Sequence, residues 1–292
     1  MKRIKIALGD TPISNLFLTN GNNLLNLAHQ AITPIHLAFR PMVEEMAFDV
    51  SELAIVTAIQ AVEQNRNIVP LPITISARVQ HKCILQNGAI TNFTPSDLEG
   101  KRVAVRAFSQ TTGAWVRTIL DTEYGVDCTK IEWITQEAPH VAGAPEPSFV
   151  VRDPSGASPL DLLKKGVVDA AIFGNDLPDE PWAKPIIANP DKAGKTSLET
   201  TGIIQINHII AVSRPFFEQR QSDLKMIMQG FSAARHQLNK YEQHMLPAGQ
   251  GEMQKSVEKL VESLLRQGLI SHNLSFQDIF GDGMSLYETM LP

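Results

Sequence analysis

The chain has 292 residues, a length that suits one large domain or two α/β lobes with separate cores. Hydrophobic residues make up 43% and charged residues 20%, which is the composition of an ordinary globular protein. The formal net charge of −5 and the lack of a dense lysine and arginine run argue against nucleic acid as a partner. No stretch approaches the roughly 20 apolar residues of a membrane span, so no membrane partner is expected.

The N-terminal sequence MKRIKIALGD predicts a first strand over Lys2–Leu8. It does not fit a secretory signal, because Lys5 interrupts the apolar run and Asp10 ends it. We therefore expect a cytoplasmic protein. The two cysteines, Cys83 and Cys128, lack the close spacing of a metal site and fit thiols in a reducing compartment.

Short strand and helix patterns alternate along the next part of the chain. They predict strands at 35–39, 48–51, 67–75 and 77–85, and helical segments at 40–46 and 53–64. Thr94-Pro95-Ser96-Asp97 and Ser158-Pro159-Leu160-Asp161 both carry an N-cap residue, a proline at the first helical position and an acid in the first turn. Each predicts a short helix.

The central region alternates β-α-β-α-β, which favours an α/β fold with a mainly parallel sheet. Its predicted strands are 101–106, 131–134, 168–173 and 203–212, with a helix at 113–124 and a long surface loop at 139–159. Helices at 216–241 and 252–267 are predicted to follow.

A set of segments in a fixed order resembles one known family. The more specific segments are Phe48-Asp49-Val50-Ser51-Glu52-Leu53, Pro70-Leu71-Pro72, the pair Arg78 and His81, residues 97–105 (DLEGKRVAV), 111–117 (TTGAWVR) and 123–126 (EYGV). Residues 175–179 (NDLPD) and 207–212 (NHIIAV) match more weakly. Over roughly residues 40 to 220 the chain resembles the 4,5-dihydroxyphthalate decarboxylase family, relatives of ABC-transporter solute-binding proteins.

The chain departs from the family pattern at three places. Family members usually carry Pro-Ser-Arg and a basic residue before the histidine, where this chain has Ser76-Ala77-Arg78 and Gln80. Arg106 stands where the family usually has a non-basic residue. These differences bear on the substrate more than on the fold.

The resemblance implies a two-lobed type II periplasmic-binding-protein fold with a ligand cleft between the lobes. Lobe one would comprise residues 1–85 and 206–292, and lobe two residues 86–205. Ligands in such folds lie at the carboxyl ends of strands, in the crevice between lobes. His81 and His208 would then lie near the two crossings and could face one cleft.

Ser51 and Glu52 lie between a short strand and a helix, where side chains can point into a cleft. Glu52 could orient a histidine or bind a substrate hydroxyl, and the plainer interpretation is an acid favoured at a helix N-terminus. Arg78 could hold a carboxylate with two hydrogen bonds. Histidine side chains can donate or accept a proton near neutral pH, so His81 could transfer a proton, although a lone histidine is often structural.

Arg106 ends a strand before a turn rich in hydroxyl groups, Ser109, Thr111 and Thr112. Such a turn at a helix N-terminus can bind an anion, or can serve only as a cap. Asn175 and Asp176 follow a predicted strand. They could bind a ligand at its carboxyl end, which is a usual ligand position, or they could form a plain turn. His208 interrupts an apolar strand. It could be a hydrogen-bonded residue of the core or a residue that faces the cleft.

The first function hypothesis is a carboxy-lyase that removes CO2 from a hydroxylated aromatic acid such as 4,5-dihydroxyphthalate. Protonation of the ring carbon that bears the carboxylate would drive this reaction, with no organic cofactor. Arg78 and Arg106 would hold carboxylates, His81 or His208 would supply the proton, and Glu52 would engage a hydroxyl. His81 is the preferred donor. A divalent metal held by His81, His208 and Glu52 is an alternative.

The second hypothesis is a binding or sensor protein for a small aromatic carboxylate, without catalysis, because fold does not fix function. Another lyase or an isomerase also stays open. The expected partner in every case is a small anionic molecule, and association into a homo-oligomer is left open.

Overall fold

The computed structural model of the protein describes residues 3–21, 25–175 and 177–289. The strands within them are β1 (Ile4–Ala7), β2 (Leu27–Gln30), β3 (Val50–Ala54), β4 (Ile68–Ala77), β5 (Ile84–Asn87), β6 (Arg102–Ala107), β7 (Glu132–Glu137), β8 (Val150–Arg152), β9 (Ala170–Ile172), β10 (Ala183–Pro185) and β11 (Ile206–Ser213). The helices are α1 (Pro12–Gly21), α2 (Phe39–Glu45), α3 (Ile55–Glu63), α4 (Thr111–Tyr124), α5 (Pro159–Lys164), α6 (Pro190–Thr201), α7 (Arg214–Gln219), α8 (Gln221–His236), α9 (Lys240–Met245), α10 (Gly249–Arg266) and α11 (Phe276–Glu288).

The strands form two sheets. The first has the order β2-β1-β3-β11-β4, in which β11 runs antiparallel to both of its neighbours. The second has the order β10-β5-β9-β6-β7-β8, with parallel pairing from β9 through β8. The chain passes from the first sheet to the second after β4 and returns at β11. The α/β fold class is therefore confirmed, whereas the lobe limits at 85/86 and 205/206 stay a prediction.

Helices cover both faces of the first sheet, and this explains the long apolar runs within its central and edge strands β11 and β4. On β11, Ile210 and Val212 pack in one apolar cluster while Ile209 and Ala211 pack in another. Successive residues of a strand point to opposite faces, so an uninterrupted apolar run requires cover on both sides. His208 is therefore a polar residue placed at the beginning of an otherwise buried strand.

Local capping signals correspond closely to the structure. Thr94 and Asp97 form a reciprocal capping box, and the Ser158 side chain accepts a hydrogen bond from the Asp161 backbone N–H. The first of these helices is a single turn of 3-10 helix, at 95–98, rather than an α-helix. Gly125 closes α4 with a left-handed backbone, φ 67°.

Several predicted elements differ from the structure. Residues 35–38 form a 3-10 turn rather than a strand, and the strand predicted at 77–85 is broken by the passage between the sheets. The single helix predicted at 216–241 is divided into α7, α8 and α9, since Asn239 forms a new capping box with Glu242. Six further elements were not predicted, namely α1, β2, β8, β10, α6 and α11, and β8 lies inside the surface loop predicted at 139–159.

Among the described residues, no helix has the length and apolar character needed to cross a membrane.

Gly283→Ala is expected to destabilise the protein, because α11 packs closely on β4 at this position. A Cβ atom at Gly283 would lie 2.5 Å from the Pro70 carbonyl oxygen and 3.2 Å from Leu71 Cα, both of which are backbone atoms. Overpacking of this kind costs about 1–3 kcal/mol, measurable by chemical denaturation. Gly281→Ala on the same helix is the control, because the atom it meets is the flexible end of Gln277. Equal stability of the two variants would contradict the close packing of α11.

Candidate functional site

A cavity of about 310 Å³ lies at the junction of the two sheets. Two arginines and three histidines line it, Arg78, Arg106, His36, His140 and His208, and no carboxylate of a described residue does. Larger cavities of about 420 Å³ occur elsewhere in the protein, but none of them collects several histidines together with arginines. The wall chemistry, rather than the volume, marks this cavity as the candidate site for an anion.

The buried pair Glu52 and His208 lies at one wall of the cavity. The distance between His208 Nδ1 and Glu52 Oε1 is 2.5 Å, and Glu52 is only 1% exposed. Glu52 Oε2 also accepts a hydrogen bond of 2.8 Å from the Gly9 backbone N–H. A carboxylate held at both oxygens fixes the orientation of the imidazole, which leaves the other ring nitrogen, Nε2, for a ligand.

Gly9 lies close to the Glu52 carboxylate and to the Ile35 side chain. A Cβ atom there would lie 3.1 Å from Glu52 Oε2 and 3.3 Å from the Ile35 side chain. Both contacts are tighter than ordinary van der Waals distance, so the loop after β1 and the Glu52 carboxylate constrain each other.

The Phe39 ring separates two histidines of the cavity wall. It makes edge contacts with the imidazoles of His140 and His208, with ring centroids 5.6 and 5.2 Å apart. His140 Nδ1 lies 3.1 Å from the Thr57 hydroxyl, a hydrogen bond whose donor depends on the tautomer. The two imidazoles therefore have different partners, a carboxylate for His208 and a hydroxyl for His140.

The opposite wall is formed by the beginning of α4 and by the two arginines. Ser109, Thr111 and Thr112 are buried and line the cavity, where the helix N-terminus favours a negative charge. Trp115 on this helix donates a hydrogen bond of 2.8 Å to the Ile206 carbonyl, which ties α4 to β11. This contact sets the helix N-terminus against the strand that carries His208.

The two arginines are held by different partners. Arg78 donates to the Asn175 side-chain oxygen and, over 3.3 Å, to the Thr112 hydroxyl. Arg106 Nη1 lies 3.3 Å from Glu137 Oε2, and the Arg106 side chain is 25% exposed. Arg106 therefore keeps most of its hydrogen-bonding capacity for a ligand.

The structure brings together seven of the side chains predicted for the site: Arg78, Arg106, Ser109, Thr111, Thr112, Asn175 and His208. Ser51 is buried and donates to the Glu52 carbonyl, so it does not line the cavity. Glu52 contacts the cavity through His208. Asp176 lies outside the described residues.

His81 lies outside the cavity, which differs from the prediction that His81 and His208 face one cleft. The chain forms a 3-10 turn over His81–Cys83, and this turn directs the imidazole towards α4 and α6. His81 is fully buried, with Nε2 2.9 Å from Glu123 Oε2 at the far end of α4. The alternative metal set of His81, His208 and Glu52 is therefore not assembled. No other metal-binding cluster of acids, histidines and cysteines occurs among the described residues.

Six polar or aromatic residues of the cavity wall were not predicted for the site: His36, Phe39, Thr57, Gln110, His140 and Asn207. Asn207 precedes His208 in the recognised segment, so its position was a signal that could have been used. His36 and His140 gave no such signal, because they occur in segments that pattern analysis assigns to a strand and a surface loop.

Acid is expected to destabilise the protein through His140. Burial first, and then the positive charge of Arg106, lower the pKa of His140 to about 4. Between the ordinary histidine pKa of about 6.5 and this value the unfolded chain binds more protons than the folded protein, so stability falls as the pH falls. The melting temperature of His140→Gln should therefore fall less than that of the wild type as the pH is lowered from about 6.5 to about 4. Identical pH profiles for the variant and the wild type would contradict a buried neutral His140.

Comparison with solved structures establishes the class of protein. The fold matches the periplasmic sulfonate-binding protein SsuA of a sulfonate ABC transporter from Methylobacillus flagellatus KT, with a TM-score of 0.58 and 12% identity over 99% of this chain and 96% of that chain. It also matches the desulfurization enzyme DSZB, with a TM-score of 0.55 and 12% identity over 98% of this chain and 100% of that chain. The chain is thus a two-lobed α/β protein with the periplasmic-binding-protein fold.

In sequence the chain is similar to 4,5-dihydroxyphthalate decarboxylase from Comamonas testosteroni. The two are 26% identical over 185 residues, which cover 59% of this chain and 56% of that protein. The match therefore spans little more than half of the length of that relative. The family resemblance inferred from the sequence is confirmed by this similarity. No protein-family model matches the chain.

Proposed function

We propose that the protein is a carboxy-lyase that removes CO2 from a hydroxylated aromatic acid, as in the catabolism of aromatic compounds. The observation that carries this proposal is the pair of Glu52 and His208, which places a buried carboxylate behind an imidazole at the wall of a cationic cavity. The sequence similarity to 4,5-dihydroxyphthalate decarboxylase supports the reaction class.

The cavity can bind a ring that carries carboxylate groups. Arg106 and Arg78 supply the cationic contacts, and the hydroxyl groups of the α4 N-terminus supply neutral donors. His140 and Asn207 line the same cavity, and in this proposal they hydrogen-bond the phenolic hydroxyls. The Phe39 ring limits the width of the cavity beside both histidines.

His208 is the proposed proton donor. Its Nε2–H transfers a proton to the ring carbon that bears the carboxylate, and the ring hydroxyl supplies electron density to that carbon. The carbon–carboxylate bond then breaks, its electron pair returns to the ring, and CO2 leaves. His208 regains a proton from water. Glu52 holds the ring and stabilises the imidazolium through a charge-assisted hydrogen bond.

His81 is assigned no step in this proposal. Its burial and its contact with Glu123 give it a structural role beside the passage between the sheets. This scheme needs neither an organic cofactor nor a metal.

The direct test is incubation of the purified protein with hydroxylated benzoates and phthalates, including 4,5-dihydroxyphthalate, while released CO2 is measured. Turnover that depends on His208 supports the lyase. Tight binding of the same acids with no CO2 released would instead support a binding or sensor protein.

That second candidate has its own support, since the sulfonate-binding protein SsuA shares the fold. The enzyme DSZB shares it too, so the fold alone does not separate the two functions. The buried acid behind His208 favours catalysis, because simple anion binding does not require a proton donor held in one orientation. The cytoplasmic location stays a prediction.

A further inference from the structure

A buried arginine on α4, Arg117, lies close to the first turn of the helix whose N-terminus lines the candidate cavity, and it lines a separate cavity of about 420 Å³. Arg117 is 1% exposed, and its guanidinium lies flat on the Phe108 ring, 3.8 Å from the centroid. Its Nε donates to Gln267 Oε1 over 2.8 Å and its Nη2 donates to the Phe108 carbonyl over 2.6 Å. All of these partners are neutral.

No described carboxylate forms an ion pair with Arg117. The nearest acid on the same helix, Asp121, pairs with Arg266 over 3.0 Å instead. Cys128 is a neutral thiol, since burial raises its pKa to about 12. Burial lowers the pKa of Arg117 to about 9, so the guanidinium keeps its charge at neutral pH. A buried charge without a counter-ion is costly to the fold, and its retention calls for a use.

The position of the guanidinium indicates that use. Its Nη1 has no hydrogen-bond partner among the described residues and lies 3.2 Å from the point where a Cβ atom on Gly113 would be. Gly113 directly follows Thr112, so the charge rests against the first turn of α4. The bond to the Phe108 carbonyl also fixes the beginning of the turn that presents Ser109 and Thr111 to the cavity.

We propose that Arg117 is a positioning residue that supplies a fixed positive charge beneath the anion-binding turn, with the negative charge of the bound ligand as its counter-charge. The proposal rests on the proposed binding of an anion in the cavity, and it holds for a substrate or for a ligand that does not react. Arg117 does not touch the ligand. Its effect is expected to grow with the charge on the ligand, which packing alone would not produce.

The test compares probes of similar shape and different charge. Phthalate, benzoate and benzamide carry two, one and no negative charges, and sulfate serves as a simple dianion. In Arg117→Met, affinity measured by calorimetry should fall by about tenfold for each ligand charge and stay unchanged for benzamide. Arg117→Lys should keep most of the affinity for the anions, because it retains the charge.

Two further variants separate the effect of the Arg117 charge from effects of packing and of neighbouring cations. Arg117→Gln is neutral and can still donate to the Phe108 carbonyl, so it replaces Arg117→Met if that variant does not fold. Arg266→Met removes an exposed, paired cation from the same region and should leave all affinities unchanged. Equal losses for benzamide and phthalate, or unaltered sulfate binding in both neutral variants, would overturn the proposal.

The same experiment separates this inference from the proposed function. If the wild-type protein binds sulfate with an affinity that depends on Arg117, but neither binds nor decarboxylates aromatic acids, the lyase proposal fails and the role of Arg117 remains. If the protein decarboxylates aromatic acids but its ligand affinities do not depend on Arg117, the lyase proposal stands and the role of Arg117 is excluded.

Discussion

His208→Asn is expected to lower kcat by about 10²–10⁴-fold, because asparagine keeps a hydrogen-bonding side chain but cannot donate a proton near neutral pH. Substrate affinity should change much less, since Arg78, Arg106 and the α4 N-terminus remain in place. Steady-state kinetics of CO2 release on a hydroxylated phthalate measures both quantities. The loss should appear in kcat rather than in KM.

Two histidine variants serve as controls for this result. His236→Asn changes an exposed histidine on α8 and should leave turnover as in the wild type. His81→Asn breaks the buried contact with Glu123, so it should lower stability more than kcat. If His81→Asn abolished turnover in a folded protein while His208→Asn stayed active, the proton donor would have to be reassigned to His81.

Arg106→Ala is expected to weaken ligand binding by about 1.5–3 kcal/mol, since a charge-assisted contact to a carboxylate is lost. This corresponds to roughly 10–150-fold in Kd. The stability of the protein should fall by at most about 1 kcal/mol, because the pair with Glu137 is partly exposed at both ends. Titration calorimetry and chemical denaturation give the two values.

The matched control for Arg106 is Arg102→Ala on the same strand. Arg102 is exposed at the beginning of β6, whereas Arg106 lies near its carboxyl end beside the cavity. Binding as tight in Arg106→Ala as in Arg102→Ala would exclude Arg106 from the ligand site.

Site residues could be predicted where they lie at the end of a strand or at the beginning of a helix that the sequence pattern identifies clearly. Arg106, Ser109, Thr111 and Thr112 follow a recognisable strand and precede a recognisable helix, and all four line the cavity. Parallel strands end at the same edge of a sheet, so local pattern and fold class together predict this wall. Glu52 was expected to orient a histidine or to bind a hydroxyl, and it contacts His208.

The placement of His81 could not be predicted in the same way. Its spacing from Arg78 suggested a shared cleft, but a single 3-10 turn rotates the imidazole towards Glu123. The direction of a side chain in a short irregular segment depends on the neighbours that pack around it. His140 illustrates the converse case, because it lies in a loop with no recognisable pattern and yet lines the cavity, where it contacts Thr57 and Phe39.

The sequence by itself determined the α/β class, the capped helices, the lack of an overall basic excess and the family resemblance, because each follows from local pattern or composition. Only the tertiary structure decided that His208 rather than His81 faces the cavity, that Phe39 contacts both His140 and His208, and that no carboxylate of a described residue pairs with Arg117. These features join residues far apart in the chain, such as Glu52 and His208 or Arg117 and Gln267. Their contacts arise from how the two sheets and α4 pack together, and periodicity along one segment carries no information about that packing.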